Sequence, residues 1–143
     1  MAANIADNPE KMGYCLMDLD ENGVQELLVT DGNVILGLYT IVNETVREIF
    51  LGYERTWYQL CEDGVLFCQG SGSAFTTYFT YYKLLGAELV VEKAYIFDAA
   101  EDPENPWFFS DDGITLGDPC GDFDPEGDME SYSVQSIPFS PFA

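Results

Sequence analysis

Tyr14-Cys15-Leu16-Met17-Asp18-Leu19-Asp20-Glu21-Asn22-Gly23-Val24-Gln25-Glu26-Leu27-Leu28-Val29 is the stretch on which the reading of this chain turns. Two short apolar runs, Tyr14 to Asp18 and Glu26 to Thr30, flank an acidic loop. Neither run is long enough for a helix, and the second is Leu/Val-rich, so the pattern is strand, loop, strand. The loop has the spacing D-x-D-x-N-G-x-x-E. Counting from Asp18, its oxygen donors are Asp18, Asp20, Asn22, the Val24 carbonyl and Glu26, with Gly23 where the wrap needs a left-handed residue. Calcium takes about 6–8 oxygens, and alternate side chains of a tight loop can converge on one ion. The bland alternative is a solvated turn in which Asp18, Asp20 and Asn22 bond to nearby amides.

The rest of the first hundred residues repeats the strand signal. Val34 to Val42 and Thr45 to Leu51 are separated by the turn Asn43-Glu44, and Asp31-Gly32 precedes them. Arg55 to Cys61 and Val65 to Gln69 flank Asp63-Gly64. Gly70-Ser71-Gly72-Ser73 reads as a flexible corner, not a hydrolase elbow, because no helix pattern follows and histidine is absent. Ala74 to Leu84 is rich in Thr, Tyr and Phe, and Leu89 to Phe97 alternates polar and apolar residues. The expected fold is mainly β: an antiparallel meander, sandwich or open barrel of about eight short strands, with an irregular acidic C-terminal segment. One domain, 1–143, is expected. Residues 1–12 form an N-terminal segment in which Asn8-Pro9 could open a helical turn; 13–99 are the β-sheet region; 100–143 are irregular chain held by aromatics such as Trp107-Phe108-Phe109. The prolines of the last residues bar a central strand there.

The loop resembles the D-x-D-x-N-G loops of FG-GAP and VCBS-type β-repeats, and the DxDxNGxxEL segment of secreted bacterial β-domains. The likeness covers Tyr14 to about Gly32. It implies a strand-flanked calcium site. It departs from the helical EF-hand, whose twelfth position is a bidentate Glu, because Val29 stands there. It departs from a propeller because the loop does not recur at a fixed period. Asp122, Asp124, Glu126, Gly127 and Glu130 echo the spacing, but Pro125 interrupts it, and a disordered acidic segment is the expectation there.

Charge and composition narrow the function classes. With 26 acidic and 5 basic residues the formal net charge is −21. Such a chain repels phosphate backbones and anionic lipid heads, so nucleic-acid binding is not expected. With no histidine, a Ser-His-Asp triad and a His-ligated zinc are excluded. Cys15, Cys61, Cys68 and Cys120 show no C-x-x-C spacing, and buried thiols are at least as expected as bridges. No apolar run approaches the roughly 20 residues of a membrane span.

Together these features point to a non-enzymatic extracytoplasmic module, extracellular or at a cell surface, with its leader absent from this chain. Calcium would stabilise it, and it would recognise glycan or protein through Trp57, Tyr58, Tyr78, Tyr82 and Trp107, which can offer flat apolar faces with polar edges. The alternatives are a carboxylate-dependent glycoside hydrolase and a structural or inhibitory domain without metal.

Overall fold

A computed structural model describes residues 12–32, 34–51, 56–135, 137–138 and 140–141. The strands are β1 (Met12–Met17), β2 (Glu26–Asp31), β3 (Val34–Val42), β4 (Thr45–Leu51), β5 (Thr56–Leu60), β6 (Leu66–Ser73), β7 (Thr76–Leu85), β8 (Glu88–Asp98), β9 (Trp107–Ser110) and β10 (Ser140–Pro141). A short helix, α1 (Pro125–Glu130), lies in the C-terminal segment. All strand pairings are antiparallel, and the order β10-β1-β2-β3-β5-β6-β7-β8-β9 makes one open sheet, with β4 paired to β3 off this path. β3 splits one edge between two partners. Val34 and Ile35 pair with β5, while Gly37 to Val42 pair with β4.

Side-chain alternation along these ladders defines two faces. The inner face carries Cys15, Leu28, Ile35, Leu38, Phe50, Leu60, Leu66 and Leu84, which form one core together with Leu19 and Ile137. Every strand from β1 to β7 contributes to this cluster, so the sheet must curl around it. The connection after β1 therefore comes to lie beside two later turns. Asp20 Oδ2 accepts a hydrogen bond from the Gly86 amide at 2.7 Å. At Gly64 (φ +73°) a Cβ would run into the Leu19 carbonyl oxygen.

The eight expected strands are present, and the C-terminal region adds two more. Trp107-Phe108-Phe109 is not an isolated aromatic knot but strand β9, in register with Phe97, Ile96 and Tyr95 of β8. The acidic stretch after Asp122 is ordered as α1, with Pro125 at its first turn. Ser140-Pro141 sits on the sheet's edge beside β1, where a missing N–H is tolerated. Gly70 to Ser73 continue β6, with a register shift at Ser71/Ser73, instead of forming a corner. The Tyr78 ring lies over Gly72; a Cβ there would sit 2.6 Å from Tyr78 Cε2 and push the ring aside. The turn expected at Asn8-Pro9 lies outside the described residues.

Candidate metal centre

Glu26 opens β2 on the inner face, two residues before Leu28, and is fully buried. A carboxylate there must be hydrogen-bonded to be tolerated. Its Oε1 accepts from the Leu19 amide at 2.9 Å and its Oε2 from the Thr40 hydroxyl at 3.0 Å. Thr40 belongs to β3, so Glu26 ties the first hairpin to the third strand. Burial pushes the Glu26 carboxyl above its ordinary pKa; the two hydrogen bonds oppose that rise, and the negative charges of Asp20 and Asp18 add to it.

Above Glu26 the loop folds back on itself. Asp18 accepts from the amides of Asn22 (3.1 Å) and Gly23 (2.7 Å), and Asn22 Oδ1 accepts from the Val24 amide at 2.9 Å. Glu21 and Gly23 take positive φ to complete the wrap. Asp18, Asp20 and Glu26 each bring a carboxylate oxygen within 4.8 Å of the others; among the described residues they are the one such group of three or more. Asp20 Oδ1 is buried with no hydrogen-bond partner. A cleft of about 510 Å³ opens beside the loop, lined in part by Asp18, Asp20, Asp63, Lys83 and Gln135.

Of the five loop ligands read from the sequence, the structure brings Asp18, Asp20 and Glu26 together. Asn22 turns its carboxamide oxygen to Val24 instead. Thr40 and the Gly86 amide complete the polar shell, and no sequence signal announced either, since one comes from β3 and the other from the β7–β8 turn, both distant along the chain.

The five aromatic residues do not form one surface. Tyr58, Tyr78 and Tyr82 lie on the inner face, as their pairing with Cys68, Ile96 and Leu66 requires. Tyr58 stacks on Phe50 with centroids 3.6 Å apart, and both Tyr58 and Tyr82 pack against the core. Trp57 and Trp107 are on the outer face. There Trp107 joins a ladder of rings, 5.4 Å from Phe79 and 5.1 Å from Phe97.

The C-terminal segment covers part of that ladder. Tyr132 stacks on Tyr81 at 4.0 Å, and Phe123 meets Tyr95 and Phe109. Asp128 of α1 accepts from Lys93 Nζ at 2.9 Å and from the Tyr95 hydroxyl at 2.6 Å. These two bonds hold its carboxyl below the usual range.

The four cysteines are buried free thiols, each pushed up by burial. No helix among the described residues is long and apolar enough to cross a membrane. No protein-family model matches the chain, and comparison with curated proteins and with solved structures found no match either.

Proposed function

We propose that this chain is a non-enzymatic extracytoplasmic binding module whose β1–β2 loop holds a calcium ion. The observation that carries this reading is the convergence of Asp18, Asp20 and Glu26, one of whose members, Asp20, also has a buried, unpartnered oxygen. Three clustered carboxylates repel one another, and one of them is fully buried. A hard divalent cation would remove that repulsion and give Asp20 Oδ1 a partner. The ion's role is structural. Through Glu26 and Thr40 it would brace β3, and through Asp20 and Gly86 the β7–β8 turn. Water, Asn22 or the Val24 carbonyl would complete its shell. The extracytoplasmic setting follows from the metal, since calcium is abundant there. Recognition of a glycan or protein by surface rings belongs to the same reading; Phe109 and Phe123, 38% and 44% exposed at the edge of the outer ladder, support it.

Thermal melting in chelator and in excess calcium tests the site. Calcium at a hundred times its Kd stabilises by about 2.7 kcal/mol. At about 2–4 °C per kcal/mol for a chain near this size, that is a rise of roughly 5–10 °C. Asp20→Asn should abolish most of it. Identical melting of the wild type in both buffers would remove the metal from the proposal.

A further inference from the structure

The outer face is apolar along both halves of the sheet, but the halves are treated differently. Over β6 to β9 the rings are partly covered by α1 and its flanks. Over β1 to β4 the apolar side chains stand in register, half-buried at Leu27, Val29 and Tyr39 and exposed at Leu16, Ile41, Val46 and Leu51. Leu16, Leu27 and Tyr39 form one row across three strands; Val29, Gly37 and Leu51 form the next; Ile41 and Val46 pair beyond them. Leu16 is 53%, Ile41 51%, Val46 66% and Leu51 40% exposed. A contiguous patch of this kind on a chain with 26 acids marks an interaction surface.

The charges around the patch select the partner. Because β1 to β4 are antiparallel neighbours, the β1–β2 loop and the β3–β4 turn lie at the same end. Glu21 and Glu44 are exposed there, and Glu48 stands on the outer face opposite Tyr39. Arg47 is the one base on β4, and alternation sends it to the other face, opposite Thr40. A second copy of this chain would bring another net −21 to a rim that is already acidic. We propose that the outer face of β1 to β4 docks a basic protein segment, with apolar side chains on Leu16, Ile41, Val46 and Leu51 and Lys or Arg side chains on Glu48 and, at the β3–β4 turn, Glu44. This surface lies outside the cation site and needs no ion.

The test uses the full chain and three synthetic peptides of equal length: alternating Lys-Leu, alternating Glu-Leu, and alternating Lys-Gly. Binding is read by calorimetry in chelator and again in calcium, at about 150 mM salt. The Lys-Leu peptide is expected to bind in both buffers, and the other two at least tenfold more weakly. Ile41→Thr with Val46→Thr, neutral and strand-compatible, should weaken Lys-Leu binding about tenfold, while Phe75→Thr, exposed elsewhere, leaves it unchanged. Sedimentation of the chain alone should show a monomer. Equal binding of Lys-Leu and Lys-Gly, no binding by any peptide, or equal binding by wild type and the Ile41/Val46 variant would overturn the proposal. So would a dimer lost in that variant, since the face would then be occupied by a second copy. Loss of the calcium effect on melting with peptide binding intact would refute the metal site and leave this surface standing.

Discussion

Glu26 concentrates the physics of the site in one side chain. It is an acid on the core face, raised in pKa chiefly by burial, and next to two more acids. The sign of its linkage follows from that direction. In the metal-free protein the unfolded chain loses this proton first, so between the ordinary carboxyl value and the raised folded one the native state binds more protons. Stability is therefore lost as pH rises through that window. Glu26→Gln can keep both hydrogen bonds, accepting from Leu19 and donating to Thr40. In chelator, the stability of this variant relative to wild type should improve as pH climbs from about 4 to 7, whereas with calcium the wild type should lead by a margin that widens over the same range. Urea denaturation at a series of pH values reads both. Parallel wild-type and variant curves in chelator would mean that Glu26 is not held in the raised state. Thr40→Val removes the donor to Oε2 and leaves a buried acceptor, so it should cost about 1–3 kcal/mol in the same assay. Of this residue, the sequence displayed its place in the loop spacing and its parity with Leu28 and Thr30. Its bond to Thr40 was invisible, because nothing local ties residue 26 to residue 40.

Elements joined by tight turns were legible for a local reason. Asp31-Gly32, Asn43-Glu44, Asp63-Gly64 and Leu85-Gly86 punctuate the chain, and the structure places positive φ at Gly32, Asn43, Glu44, Asp63, Gly64 and Gly86. Strands β1 to β8 follow from that punctuation together with their composition. β9, β10 and α1 were not legible, because each is stabilised by what it meets in space: β9 by β8, β10 by the edge of β1, α1 by Lys93 and Tyr95. The split edge of β3 is likewise a tertiary fact. Gly64 shows how strongly a turn can be held by its surroundings. Gly64→Ala adds a Cβ at positive φ and against the Leu19 carbonyl, so it should lower the melting temperature by several degrees, about 1–2 kcal/mol, and disturb the loop that bears Asp18 and Asp20. A melt of this variant indistinguishable from wild type would show that the β1–β2 loop does not rest on that turn. For α1 the expectation is local. Its Lys93–Asp128 pair has side chains 38% and 24% exposed, so solvent discounts it to at most about 1 kcal/mol. Asp128→Asn should leave the global melt nearly unchanged while raising amide exchange across Pro125–Glu130 and at Tyr132. Because the Asp128 pKa is depressed, acidification through its folded value should loosen the helix in the same way.

At the scale of the molecule, an open curled sheet carrying a net charge of −21 has two electrostatic problems. One is diffuse: 26 acids repel across the whole surface, and compaction makes that worse. The other is local, at the end where the β1–β2 loop meets the β7–β8 turn and Asp18, Asp20 and Glu26 crowd together. The two respond to different ions. Sodium chloride relieves the diffuse problem by screening: between about 10 and 150 mM the Debye length falls from about 30 to 8 Å, and the chelated protein should melt at a steadily rising temperature over that range. Screening acts weakly at separations within 4.8 Å, so salt should leave the local problem largely in place. Calcium should relieve it in a saturable way, at concentrations whose ionic strength is negligible beside that of the salt. Magnesium should do so less well, because it demands stricter octahedral geometry and keeps its waters. The decisive comparison is at matched ionic strength. If sodium chloride reproduces the whole calcium shift, the acids at that end form a solvated turn relieved by screening alone. If a calcium increment remains and disappears in Asp20→Asn, the ion joins the first hairpin to β3 and the β7–β8 turn, closing by coordination an end of the sheet that hydrogen bonding between strands leaves open.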